Sequence, residues 1–315
     1  MERVFSLVRK KDFHRSDKIF RLILKGFAFS LIGLILLTAW ELFRLGQPVL
    51  SQIGFRTIVD SVWNPYTNEY GMLPFIYGTL ITSFLALVIA APLSIGAALF
   101  LSELAPVFVS RAISFLVEML AAIPSVVYGL WAIFVIVPEM QMTIQPWIIE
   151  NLGFLPIFDG APYGVGVMTA SIVLAIMILP TVTAITREVF KSVPTAMREA
   201  ALGLGATRWE SIRLGVLSSS VSGMIGALML GLGRALGETM AVTMVIGNRA
   251  DISWSLLAPA QTMASVIANE YPEAGTLLHQ SALGAVGLVL LFVSLIVNGA
   301  ARLIVWGYSR NRGAI

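Results

Sequence analysis

Residues 216–246 read VLSSSVSGMIGALMLGLGRALGETMAVTMVI, an apolar run broken by one arginine, Arg234, and one glutamate, Glu238. An α-helix needs about 20 predominantly apolar residues to cross the hydrocarbon core of a bilayer, and this run is longer than that. A charge at the centre of such a helix costs about 2.5–3.5 kcal/mol on insertion scales, so neither side chain is expected to face lipid. Four positions apart in the sequence, the two are expected on one helix face about 6 Å apart along the axis. There they can pair with each other or with a group that enters. Thr239 and Thr243 add hydroxyls nearby. Gly223, Gly226, Gly231, Gly233 and Gly237 let neighbouring helices approach closely, which predicts a central place for this span.

Outward from this run, five further stretches have spanning length, roughly 22–43, 74–101, 111–137, 162–186 and 277–306, giving six expected spans. The whole chain agrees: 57% of its 315 residues are hydrophobic, 12% are charged and the mean hydropathy is +0.85. Average globular domains carry about 25% charged residues, so the main solvent here is lipid. The first run follows a long charged region and ends in Glu-Leu-Phe-Arg without a small-x-small cleavage site, which reads as a retained anchor. Pro92, Pro124 and Pro180 fall inside spans and are expected to kink them. The absence of cysteine excludes disulfide, thiolate-metal and cysteine-nucleophile chemistry. His14 and His279 are too few and too far apart for a histidine-rich metal centre. A net charge of +3 makes no case for nucleic acid, because basic residues of membrane proteins collect on one side of the bilayer.

Their distribution sets an orientation. Eight lysines and arginines lie before or at the start of the first span, Arg111 follows the second, five lie between spans four and five, and three lie at the C-terminus, from the end of the sixth span onward. The opposite side has Arg44, Arg56 and Arg249, and the 138–160 loop carries Glu139, Glu150 and Asp159 without a base. The positive-inside rule therefore puts both termini in the cytoplasm. On this reading 1–21 is a basic cytoplasmic segment, 22–306 the transmembrane domain and 307–315 a cytoplasmic tail.

The inner loop 187–215 reads REVFKSVPTAMREAALGLGATRWESIRLG. Pro194 suits a first helical turn, good helix formers follow, and Gly203 and Gly205 stop the helix. Thr207 and Glu210 have the spacing of a capping box, which starts a second helix toward span five. Leu204 and Trp209 are apolar side chains facing water unless a partner covers them. Glu199-Ala200-Ala201, three residues, then Gly205 resembles the EAA loop of the membrane subunits of ABC importers. That resemblance implies a coupling helix docked in a groove of an ATP-binding subunit, with Arg198, Glu199, Ala200, Ala201, Leu204, Gly205 and Trp209 as the coupling residues. The family continues with I-x-L-P, where this chain has Gly215-Val216-Leu217-Ser218; only the leucine matches.

An inward arginine suits an oxyanion, since its guanidinium is planar, offers paired donors and stays charged. A neighbouring carboxylate would temper the vacant site and discourage tight retention. Arg234, Glu238, Thr239 and Thr243 are thus the candidate pathway residues, and a packing ion pair is the competing account. EMLAAIPSVVYGLWAIFVIVP (118–138), VPTAMREAALGLGATRWESI (193–212) and GLGRALGETMAVTMVIGN (231–248), in this order, resemble the PstC family of phosphate-importer permeases over most of the chain from the second span onward. The resemblance implies an all-α bundle of the type I ABC-importer permease class. It also implies a PstA-like second permease, two PstB-like ATPases that hold ATP with Mg, and a PstS-like phosphate-binding protein outside.

Three other features are expected to be structural. Glu118 lies about two turns into span three, where it is expected to reach water or pair with Arg111. His279 is expected to be an interfacial or packing residue, and Trp254 and Tyr271 to sit in aromatic belts at the membrane surface. The stretch MASVIANE within 251–273 is expected to form a short lid helix. No G-x-x-x-x-G-K-[ST] sequence is present, so this chain is expected to bind no ATP and to be no catalyst. The expected function is phosphate permeation by alternating access around Arg234. A permease for sulfate or molybdate is the near alternative, and an ion-coupled secondary transporter a more distant one.

Overall fold

The computed structural model describes the backbone of residues 2–312 and the side chains of residues 17–303. Most side chains of the basic segment 1–21, and the tail 307–315, lie outside the described side chains. Among the described residues six helices are long and apolar enough to cross a membrane: Asp17–Gln52, Leu73–Leu104, Ser125–Leu152, Val167–Lys191, Arg208–Leu236 and Leu277–Leu303, here spans one to six. Among the described residues the only sheet is a small hairpin in which Trp63–Asn64 pairs antiparallel with Glu69–Tyr70.

Span four, rather than span five, is the axis of the bundle. Of its most apolar stretch 61% is buried within the chain, against 28% for span five. Two glycines of span five, Gly223 and Gly231, open the helix to span four. A Cβ on Gly231 would meet Val182 at 2.6 Å and one on Gly223 would meet Val189 at 2.4 Å, so both serve the contact with span four. Burial on every side requires small and apolar residues all round the helix, which span four supplies with Ala170, Val173, Leu174, Ala175, Met177 and Ile178. Span two packs along span four, and span one along span six. Gly46 against Ala285 and Gly284 against Leu45 bring that second pair close, while residues 26–40 of span one present a largely apolar exterior.

Span three differs from its expected limits. Val107–Ala121 is a separate helix, and the chain turns at Ala122 and Ile123 before Pro124 opens the helix beginning at Ser125. Pro124 therefore starts the span instead of kinking it, since a proline restricts the residue before it from the α region. The span continues past Pro138 into the expected outer loop, reaching Leu152 through π-helical turns at Ala132–Ile136 and Met140–Ile144. Each turn contains the residue four before a proline, Phe134 before Pro138 and Met142 before Pro146. Widening the helix there relieves the clash of the ring with that carbonyl. Span two also ends in a π-helical stretch, Phe100–Leu104.

At the end of the bundle away from the 192–207 loop, the 247–262 segment folds back over the spans. Carbonyls of Leu256 and Ala258 accept the N–H groups of Met168 and Val167, capping span four. The MASVIANE stretch is helical, Met263–Glu270, with a Thr262–Ser265 capping box, but it is no lid. Met263, Ser265 and Val266 are fully buried in a cluster with Phe75, Leu283 and Val286, because its alanine and valine face is apolar enough to join the core. His279 packs against Trp63 and Tyr70, and its Nε2 lies 2.9 Å from Glu270 Oε2. Trp254 and Tyr271 are both exposed.

Candidate functional site

Span five ends at Leu236, and a second short helix, Met240–Val245, follows after Gly237–Thr239. Arg234 lies in the last turn of the first piece, and Glu238 lies in the break. They therefore do not share one continuous helix face, and among the described residues no ion pair joins Arg234 to any carboxylate. Local chemistry explains the break. Glycine is costly in a helix interior, by about 1 kcal/mol relative to alanine. The Glu238 carboxylate accepts the Ala241 N–H at 3.3 Å, capping the next helix instead of extending the last.

The Arg234 guanidinium donates from Nη1 to Thr181 Oγ1 of span four at 3.3 Å, a long bond to a neutral partner. The Thr243 hydroxyl donates to the Thr239 carbonyl at 2.7 Å and the Thr239 hydroxyl to the Gly237 carbonyl at 3.3 Å, so both protons serve the broken backbone. Of the four expected pathway residues, Arg234 alone is a cation, and among the described residues it meets no charged acceptor. Thr181 was missed by sequence reasoning, and nothing local to it would have revealed the contact.

The other half of the site is the loop. Thr195–Gly203 is a helix that begins directly after Pro194, so the proline precedes the first turn. Gly205 has φ +87, a left-handed conformation that L side chains disfavour. That turn lets Ala206 N–H bond the Ala201 carbonyl at 3.1 Å, closing the helix end. Glu199 and Ala200 are exposed, and so are Leu204, at 90%, and Trp209, at 57%. The Thr207–Glu210 capping box is present in both directions, with Thr207 N–H to Glu210 at 2.8 Å and Glu210 N–H to Thr207 Oγ1 at 3.3 Å. These bonds from Thr207 hold the Glu210 carboxyl below the usual carboxylate range. Helix then runs from Arg208 to Leu236 through a π-helical stretch at Ile212–Leu217, which places Arg208 about 39 Å along the axis from Arg234 at 1.5 Å per residue.

Arg198 turns inward instead of toward a partner. Its Nε and Nη2 donate to the two oxygens of Glu103 at 3.0 and 2.7 Å, and Nη1 and Nη2 reach the carbonyls of Val193 and Phe190 at 2.7 and 3.0 Å. The fork geometry suits a carboxylate, and Glu103 keeps the guanidinium charged by pushing it further above its already high range. Together with Ser211 Oγ donating to the Arg198 carbonyl, this ties the loop helix to spans two, four and five. Glu103 was missed, although a lone carboxylate at the end of an apolar span is itself a signal that a partner exists. Glu118 sits 3.9 Å from Arg187 and not beside Arg111, because the Val107–Ala121 helix packs along span four.

Residues 90–307 match the family described as binding-protein-dependent transport system inner membrane component. The chain belongs to that family. The phosphate transport system permease protein PstC of Mesorhizobium japonicum is 44% identical over 308 residues, covering 96% of this chain and 94% of that protein. The protein of the same description from Pasteurella multocida is 45% identical over 304 residues, with 95% of each covered. Among solved structures, an inward-facing MetNI methionine ABC transporter gives a TM-score of 0.56 at 16% identity, over 78% of this chain and 99% of that one. A bacterial ABC transporter involved in import of the acidic polysaccharide alginate gives 0.54 at 18% identity, over 88% and 96%. At those identities the likeness is one of fold, that of a type I ABC-importer permease. This member of the binding-protein-dependent transport family is thus a multi-pass inner-membrane permease component with an exposed loop helix at Thr195–Gly203 and a fifth span that breaks after Leu236.

Proposed function

We propose that this permease carries inorganic phosphate into the cytoplasm as part of an ATP-driven importer, and that Arg234 is the group the anion meets in transit. The observation that carries this reading is a guanidinium beside the break in a spanning helix, bonded only to a neutral hydroxyl at 3.3 Å and unpaired with any carboxylate among the described residues. A packing ion pair would have used a carboxylate. A discontinuous spanning helix beside a charged group is also how many transporters build a transient midplane site. The relatives named for phosphate transport support the choice of anion.

The partners in this reading are a PstA-like second permease, two PstB-like ATPases that bind ATP with Mg, and a PstS-like phosphate-binding protein. The one-sided distribution of lysine and arginine supports a cytoplasmic side for both termini and the 192–207 loop. ATPase closure presses on Leu204, Trp209 and the smooth Glu199-Ala200-Ala201 face, and the Arg208–Leu236 rod passes the displacement to Arg234. Glu238 holds the start of the next helix and keeps a negative group near the path, which favours passage over storage.

Reconstitution of the purified complex in liposomes tests this with radiolabelled phosphate, sulfate and molybdate, each with and without ATP and the binding protein. The reading requires ATP-dependent phosphate uptake that the other two anions do not match. Equal uptake of sulfate or molybdate, or uptake driven by an ion gradient without ATP, refutes it.

A further inference from the structure

At the loop end of the bundle, the π-helical end of span two, the Val107–Ala121 helix and the last turns of span four line an open cavity of about 520 Å³. That is within the range of about 300–1,000 Å³ usual for small-molecule sites. Three cations line it, Arg111, Arg187 and Lys191, against one lining carboxylate, Glu118. The lining hydroxyls Ser110 and Ser114 donate to the carbonyls of Leu101 and Ser110, so the donors available to a ligand are the cations.

These cations are incompletely neutralised. Arg111 has no ion pair among the described residues. Arg187 has a side chain only 12% exposed, and its buried Nε has no acceptor. Its carboxylate neighbours are Glu118 at 3.9 Å and Glu188 at 3.3 Å, both more than half exposed, and Glu188 is shared with Lys191 at 3.4 Å. Pairs at such distances and exposures hold weakly and yield to a better acceptor. Beside the cavity, Phe108 is 83% and Phe115 61% exposed on the Val107–Ala121 helix, whose opposite side buries Ser114. An apolar face next to a cationic hollow is the arrangement of a helix lying in the headgroup region of a membrane.

We propose that this cavity binds a phosphoryl anion at the inner face of the membrane, at a site separate from the Arg234 pathway. Two sources carry that chemistry, the headgroup of an anionic phospholipid and free cytoplasmic phosphate. The exposed phenylalanines flank the cavity where lipid chains would lie. The inference rests on the cytoplasmic placement of the loop end and not on transport through Arg234.

The test uses the assembled complex in nanodiscs, with Arg234→Gln as background so that the pathway contributes no binding. In one arm, native mass spectrometry counts phosphatidylglycerol retained against phosphatidylcholine. In the other, equilibrium binding of radiolabelled inorganic phosphate is measured in phosphatidylcholine alone. Arg111→Gln with Lys191→Gln changes two exposed residues, and intact assembly is checked by ATPase copurification. Each lost charge-assisted bond weakens binding about tenfold. Loss of phosphatidylglycerol retention in this double variant assigns the site to lipid, and loss of phosphate binding assigns it to the free anion. Binding in neither arm, or binding unchanged by the double substitution, overturns the proposal. Because the background is already transport-dead if Arg234 handles the substrate, failure here leaves that reading untouched.

Discussion

Replacing Glu103 with glutamine removes the charge that anchors the Thr195–Gly203 helix to span two. The Glu103 side chain is 9% exposed and that of Arg198 22%, and two bonds of 3.0 and 2.7 Å join them. Hydrogen bonds to charged groups contribute about 1.5–3 kcal/mol, and breaking a buried pair by removing one partner costs about 3–5 kcal/mol. Glutamine keeps one acceptor oxygen, and Arg198 keeps the carbonyls of Val193 and Phe190. The expected loss is therefore near the lower figures, about 2 kcal/mol, or roughly thirtyfold in the ratio of anchored to released helix. Released, the helix 195–203 still meets the ATPase but moves against span two instead of with it. Hydrogen exchange over residues 195–206 should accelerate by about that factor, and phosphate imported per ATP hydrolysed should fall while the ATPase copurifies at normal yield. Arg198→Met should be more severe, because it also strips two carbonyls of their donor. Unchanged exchange and an unchanged transport-to-hydrolysis ratio in Glu103→Gln would refute the reasoning.

Other expectations follow from single contacts. Arg234→Gln should abolish uptake per assembled complex and Arg234→Lys retain part of it at most, since an ammonium lacks the planar fork. Glu238→Gln should be milder because its amide oxygen still caps Ala241, and recovery of transport in the double neutral variant would return Arg234 to a packing role. Gly205→Ala should destabilise the loop turn by about 1–2 kcal/mol through its left-handed φ alone, measured as local hydrogen exchange, while Glu199→Lys should leave that exchange normal and lower uptake. The Glu210 carboxyl is held below its ordinary value of 4.5, so the cap contributes above that pH and is lost as pH falls through the lower folded value. A carboxyl titration of Glu210 by NMR should show this depression and lose it in Thr207→Ala; an ordinary value in the native chain would contradict it.

Much of this protein was legible in the chain because the governing forces act locally or through composition. Lipid solvation selects six runs of apolar length wherever they fall. The Thr207–Glu210 cap and the Gly205 turn close within a few residues, so their spacing suffices to predict them. The high cost of a lipid-facing guanidinium marks Arg234 from its neighbours alone. What the chain left open was pairing between distant segments and competition between local options. Glu103 finds Arg198 95 positions away, and Glu118 faces Arg187 instead of Arg111, because helix packing brings them together. The four-residue spacing of Arg234 and Glu238 implied one face, but a glycine and a carboxylate that caps its own successor ended the helix between them. Likewise MASVIANE is amphipathic enough for a lid or a core helix, and only the apolar hollow between spans two and six decided for burial. Local free energies of about 1 kcal/mol set turns and caps, whereas placement of a whole face is decided by apolar area that exists only once the bundle has assembled.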